Sequence, residues 1–169
     1  MLFQSVPALH MNFDKSIVEF VGFNGPYIIS AITAVRLFGR LQYLVAFIIS
    51  RFTDQQINHL LKNIIKQERP SDGKSYGKEK YLGAQKYGMP SGHAESCFFA
   101  LSFLYFTTNS TPLLILTGSI AVLTLYQRWS SRKHTVEQLL AGSLVGTFTG
   151  FLSYTLTKRF IETKKTPIF

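Results

Sequence analysis

At 169 residues and 19.1 kDa the chain has the length of one domain, without room for a second catalytic module. Its single cysteine, Cys97, excludes an internal disulfide, and four scattered histidines without Cys partners leave no structural zinc site. A hydrophobic fraction of 46% suits soluble and membrane proteins alike, so the placement of charge decides: the phenylalanines fall in stretches almost free of charge, and seven of the eighteen Lys and Arg lie between Lys62 and Lys86.

No Lys or Arg precedes Lys15, so the first sixteen residues lack the basic start of a cleavable signal peptide and are expected to be retained. The stretch Ile17 to Val35 approaches the ~20 residues that cross a bilayer, but it contains Glu19, Asn24 and Pro26. A charge at a helix centre costs about 2.5–3.5 kcal/mol, so Glu19 must lie near an end or face protein. Leu41 to Ile49 is apolar all round. From Ser50 the pattern turns amphipathic, with Phe52, Ile57, Leu60, Leu61, Ile64 and Ile65 set among Arg51, Asp54, Asn58 and Lys62, which predicts one long helix whose far half packs against others.

Ser71 to Gly88, rich in Gly, Ser, Lys and Tyr, reads as a loop bounded by Arg69-Pro70 and Pro90. A third helix is predicted from about Ser91 to Thr107. A fourth runs from Pro112 to Gln127 and is opened by Ser110-Thr111-Pro112, because proline suits the first helical position after a hydroxyl cap. The fifth runs from near His134 to Thr157 and carries Gly142, Gly146 and Gly150 at four-residue spacing, a smooth face for close helix packing. The predicted fold class is all-α, a polytopic transmembrane helix bundle of about five membrane helices, with residues 1–169 forming a single integral-membrane domain.

Parity puts the 70–90 loop and the 127–134 segment on one side, with the 36–40 turn and the 158–169 tail on the other. Arg36, Arg40, Lys158, Arg159, Lys164 and Lys165 favour a cytoplasmic tail if the charges of the 70–90 loop are discounted as substrate ligands, so the active face is expected to be lumenal or extracytoplasmic. Asn109-Ser110-Thr111 has the form of a glycosylation triplet. A proline follows it and it falls on the cytoplasmic side, so it is expected to be unused.

Lys62, Lys66 and Arg69, at i, i+4 and i+7, are predicted to form one cationic stripe on a helix that Pro70 ends. Alone, such a stripe reads as side chains snorkelling to headgroups. Tyr87-Gly88-Met89-Pro90-Ser91-Gly92-His93 sets Ser91 and Gly92 at a helix start, where free backbone N–H groups and the helix dipole favour an anion; alone it is a helix cap. Gln127 to His134, with Arg128, Arg132 and Lys133, reads as a basic linker between two membrane helices; alone it is an interfacial loop. Together the three imply one site. Lys62, Arg69 and Arg128 can surround a phosphoryl group, joined by the Ser91 and Gly92 backbone, and stabilise its oxygens during transfer. One neutral imidazole can attack phosphorus while a protonated one donates to the leaving oxygen, and His93 and His134 are available for this work.

These residues resemble the type 2 phosphatidic acid phosphatase family, part of the lipid phosphatase and vanadium haloperoxidase superfamily. Its three motifs are matched in order by Lys62 with Arg69-Pro70, by Pro90-Ser91-Gly92-His93, and by Arg128 with five residues before His134, spanning about 62–138. The resemblance implies that His134 is the nucleophile, forming a phosphohistidine, and that His93 is the general acid. It also implies that Lys62, Arg69, Ser91, Gly92 and Arg128 bind the phosphoryl group and that no metal or other cofactor takes part. Two departures stand out. Gln127 replaces the usual serine before the third-motif arginine, and Gln138 replaces the usual acidic residue four positions after the nucleophile. A Gln carbonyl can orient the imidazole as the carboxylate does, though with less charge, and Glu137 is the other candidate. Gln138 together with Tyr87-Gly88-Met89-Pro90-Ser91 looks like the dolichyl diphosphatase branch, which implies a polyprenyl diphosphate as substrate. Gly92 stands where that branch commonly has Ser, and the chain is one helix short of the family's usual six.

The leading expectation is a membrane lipid phosphatase whose partners are a lipid phosphate or diphosphate and the bilayer. The alternative is a catalytically inactive member that acts as an anionic-lipid-binding scaffold, motivated by Gln138. Nucleic-acid binding by the basic segment, with Tyr76, Tyr81 and Tyr87 as stacking residues, is not expected once its cations are assigned to a phosphate cage.

Overall fold

The computed structural model of the chain describes residues 15–70 and 83–165. The N-terminal stretch expected to be retained lies outside the described residues, apart from its last two positions. So does most of the basic loop, with Tyr76 and Tyr81.

Among the described residues five helices form: α1 Lys15–Leu37, α2 Leu41–Ile65, α3 Gly92–Thr108, α4 Thr111–Ser130 and α5 Val136–Lys165, with a short 3-10 turn at Gly83–Lys86. The first runs through Pro26, and Ser30 Oγ donates to the Pro26 carbonyl at 2.6 Å. Glu19 is half-buried in the second turn, close to the helix end as expected.

Three boundaries differ from prediction. The second helix stops at Ile65 because Lys66 takes a left-handed conformation (φ 52°) and its N–H closes on the Lys62 carbonyl at 2.9 Å. Lys66 and Arg69 therefore leave the helix, and the predicted three-cation stripe does not form; Lys66 is exposed. The chain instead turns back so that Glu68 pairs with Tyr87 and Gly88 N–H bonds the Gln67 carbonyl at 2.7 Å. The fourth helix extends past Gln127 to Ser130, which places Arg128 and Trp129 in its last turn rather than in a linker. The fifth begins at Val136, two residues after His134, and continues to Lys165.

α3 is the hub, with buried residues on every side, as an apolar-all-round helix requires. Its longest contact is with α5, while α1 lies against α4. The predicted glycine face makes the α3–α5 contact possible. A Cβ on Gly142, Gly146 or Gly150 would collide with the backbone oxygen of Ser91, Glu95 or Phe99, so the two backbones approach as closely as glycine allows. Phe47, Phe99 and Phe103 interlock below, their ring centroids 5.4–6.3 Å apart.

The distribution of polarity is inverted relative to a soluble protein. Asp54, Asn58, Lys62, Glu95, Gln127, Arg128 and Gln138 are buried, while Val35, Phe38 and Leu144 are at least 73% exposed. Buried charge with an apolar exterior is the pattern of a helix bundle in lipid. Two helices, α1 and α5, are long and apolar enough to cross a membrane by length and composition. Of the remaining described helices, α3 is short at 17 residues, while α2 and α4 carry Asp54, Asn58, Lys62, Gln127 and Arg128 on their inward faces. Arg40 Nη1 donates to the Thr107 carbonyl at 2.8 Å, tying the α1–α2 turn to the end of α3. The α2–α3 and α4–α5 connections lie at the other end, as parity predicted.

Candidate active site

The last turns of α2 and α4, the first turns of α3 and α5, and the α2–α3 and α4–α5 connections meet at one end of the bundle and carry every predicted site residue. Lys62, fully buried in the last turn of α2, donates from Nζ to the Tyr87 carbonyl at 2.7 Å. Arg69, just beyond the turn at Lys66, is held by the Gln85 carbonyl, which accepts from Nε at 3.1 Å and Nη2 at 3.0 Å. Its Nη1 reaches the Lys133 carbonyl at 3.1 Å and His134 Nε2 at 2.9 Å. Arg128 projects from α4 onto His93, with Nη2 3.0 Å from Nδ1 and also in contact with Nε2. Phe23 of α1 packs on both, its ring 5.1 Å from the Arg128 guanidinium carbon and 5.8 Å from the His93 ring.

Lys62, Arg69 and Arg128 all lie within electrostatic reach of both His93 and His134. Residues separated by up to 72 positions therefore share one cationic site. Burial pushes the His134 imidazole well below its ordinary value, Arg69, Lys62 and Arg128 push it further, and the Gln138 hydrogen bond opposes them. His134 is thus a neutral imidazole at neutral pH.

Gln138 fixes its tautomer. Gln138 Oε1, an acceptor, stands 3.1 Å from His134 Nδ1, which therefore carries the proton and leaves the lone pair on Nε2. The same oxygen accepts from Thr135 N–H at 3.3 Å. Gln138 Nε2 donates to Gln67 Oε1 at 2.9 Å and to the Glu68 carbonyl at 2.8 Å, and its backbone carbonyl accepts from Ser91 N–H at 3.0 Å. Gly88 is packed so closely on this amide that a Cβ there would overlap it. Glu137, the other candidate for orienting the nucleophile, is exposed on the outer face of α5.

Ser91 caps α3, its Oγ accepting from Ala94 N–H at 3.5 Å, and Gly92 opens the helix; of the two backbone donors expected from the sequence, the Ser91 N–H is taken by the Gln138 carbonyl, which leaves that of Gly92 beside His93. A Cβ at Gly92 would stand 3.2 Å from Asn58 Oδ1. Gln127, the replacement for the usual serine, is not at the site: it is buried, donates to Ser131 Oγ at 3.2 Å and fills the space beside Gly22 of α1. Gln67, Gln85 and Asn58 were missed by sequence reasoning. Only Asn58 left a signal there, one turn before Lys62 on the same helix face.

Fold and site together define a class: a helical bundle of membrane type whose described residues gather three cations and two histidines at one end. The chain belongs to the PAP2 superfamily, whose sequence model matches residues 39–162. It is 32% identical to the dolichyldiphosphatase of Saccharomyces cerevisiae over 122 residues, 66% of this chain and 49% of that protein. It is 25% identical to dolichyldiphosphatase 1 of Homo sapiens over 169 residues, 90% and 67% of the two chains. The chain thus spans about half to two thirds of the length of these curated relatives. A 73-residue segment is 38% identical to the lipid A 4'-phosphatase of Helicobacter pylori, covering 43% of this chain and 35% of that one. The crystal structure of the transmembrane PAP2-type phosphatidylglycerolphosphate phosphatase from Bacillus subtilis shares the fold, with a TM-score of 0.52 at 21% identity over 94% of this chain and 90% of that one.

Proposed function

We propose that this protein is a membrane lipid phosphatase that hydrolyses a polyprenyl diphosphate of the dolichyl kind, or a related lipid phosphate, through a phosphohistidine at His134. The observation that carries the reading is the pairing of guanidinium and imidazole: Arg69 rests on His134 Nε2 and Arg128 on His93, within a cage completed by Lys62. A phosphoryl group placed between the imidazoles takes those N–H donors onto its oxygens, with the Gly92 backbone N–H and the Ser91 hydroxyl as further donors. The lone pair of His134 Nε2 then attacks phosphorus, the bond to the leaving oxygen breaks, and His93 supplies that oxygen's proton. In the second half, water attacks the phosphohistidine, His93 takes the water proton, and phosphate leaves Nε2.

The similarity to dolichyldiphosphatases over most of the chain supports a polyprenyl diphosphate as substrate. Arg36, Arg40, Lys158, Arg159 and Lys164 at the opposite end support an active face that is lumenal or extracytoplasmic. The test is phosphate release by purified protein from a polyprenyl diphosphate, phosphatidate and phosphatidylglycerophosphate, assayed in competition and in chelator. Release that persists in chelator and disappears in His134→Ala supports the reading. Full activity in His134→Ala contradicts it, and lipid binding without turnover, equal in both proteins, favours the inactive scaffold.

A further inference from the structure

Asn58 lies directly behind the Ser91–Gly92 turn. It is 4% exposed and occupies the inward face of α2, one turn after Asp54 and one turn before Lys62. Its Nδ2 donates to the Pro90 carbonyl at 3.4 Å and to Glu95 Oε2. The Pro90 carbonyl can only accept, so a reversed amide would set oxygen against oxygen there, and this fixes its orientation. Glu95, 1% exposed, sits in the first turn of α3, where its own N–H bonds the Ser91 carbonyl at 3.0 Å. One amide therefore grips the anion-binding turn at two points, ahead of it at Pro90 and behind it at Glu95.

We propose that Asn58 and Glu95 are positioning residues: an amide–carboxylate bracket that sets the Ser91 hydroxyl and the Gly92 backbone N–H at a fixed height relative to Lys62, four residues along the same helix. The inference rests on reading the cage as a phosphoryl site. Lys62 belongs to α2 and these donors to α3, so their spacing around one phosphoryl group depends on how the two helices are held axially. Productive sites hold such groups within about 0.5 Å, and a 1 Å misplacement costs about 10²-fold in rate. In a desolvated interior a hydrogen-bonded bracket resists sliding, because each displaced polar atom loses its partner.

The test compares Asn58→Ala, Asn58→Asp and the double variant Asn58→Asp/Glu95→Gln in kcat, KM and orthovanadate affinity, well below the lowest melting temperature of the set. Asn58→Ala is expected to lower kcat about 10–100-fold with KM nearly unchanged. Asn58→Asp, although closer in shape, is expected to be worse, since it turns a carboxylate towards Glu95 and the Pro90 carbonyl. The double variant reverses the bond, the amide introduced at 95 donating to the carboxylate introduced at 58, and should recover at least about tenfold of kcat with a parallel recovery of vanadate affinity. Asn58→Asp equal to or better than Asn58→Ala, no recovery in the double variant, or losses that follow the folded fraction would each overturn the proposal. If the unsubstituted protein releases no phosphate, the phosphatase reading fails, and the vanadate affinities of the same variants still decide whether the bracket positions the donors.

Discussion

His134 Nδ1 and Gln138 Oε1 stand 3.1 Å apart, one helical turn apart in sequence, with an amide where a carboxylate is usual. The amide holds both ends of its dipole in use. Its oxygen orients the imidazole while its nitrogen donates to Gln67 and to the Glu68 carbonyl, linking His134 to the segment that carries Arg69. A carboxylate at this position could orient the imidazole but has no proton for Glu68.

Gln138→Ala should lower kcat about 10–100-fold, because the imidazole loses the acceptor that selects its tautomer. Gln138→Glu should keep the tautomer and destabilise the fold by about 1–3 kcal/mol, because a carboxylate oxygen buried at 138 would face Gln67 Oε1 and the Glu68 carbonyl with no proton to donate. Steady-state kinetics and thermal unfolding of the two variants separate these effects.

Removal of a cage cation should be costly and specific to the transition state. Lys62→Met and Arg128→Ala should each lose about 2–4 kcal/mol in kcat/KM, the scale of one preorganised donor, with weakened inhibition by vanadate. An equal loss in KM alone would mean that the cation merely holds the substrate.

The pH profile carries a signed prediction. His134 reacts as the neutral imidazole, and burial with Arg69, Lys62 and Arg128 holds its pKa well below the ordinary 6.5, so its acid limb in kcat/KM should fall below pH 6.5. Arg69→Gln removes one repelling cation and should move that limb to higher pH. By linkage, a folded-state pKa below the unfolded one means stability that is complete above about pH 6.5 and is lost as pH falls through the folded value. Unfolding monitored along the same pH series checks the second statement.

The glycine face offers a packing test away from the chemistry. Gly146→Ala drives a Cβ into the Glu95 backbone oxygen and should cost about 1–3 kcal/mol as α3 and α5 separate. Gly118→Ala meets only Leu101 Cδ1 at 3.9 Å and, in a helix interior, should stabilise by about 0.5–1 kcal/mol. Apparent melting temperatures moving in opposite directions would confirm the assignment.

Much of this organisation is legible in the sequence. Apolar runs and punctuation by proline give the five helices of the described residues, the three spaced motifs give the cations and histidines that the fold gathers at one end, and the Gly142, Gly146 and Gly150 repeat marks the contact face of α5. What local pattern missed was set by backbone conformation and tertiary contact. Lys66 has no glycine signal for its left-handed turn, so the helix was extended on the strength of i, i+4 spacing that the fold does not use. Arg128 read as a linker residue because its run of polar neighbours hides the buried face they present to α1 and α3. The side chains of Asn58, Glu95 and Gln67 meet partners 32 to 71 positions away, a relation that no periodicity encodes.

The most direct measurement is to trap the intermediate. Protein mixed with a radiolabelled polyprenyl diphosphate and quenched in alkali within one turnover should carry a base-stable, acid-labile phosphoryl group on the peptide containing His134. It should be absent from His134→Ala and should build up in His93→Ala when the leaving group is activated enough to need no proton. Turnover by unsubstituted protein without any such phosphopeptide, or label on His93 instead, would contradict the account.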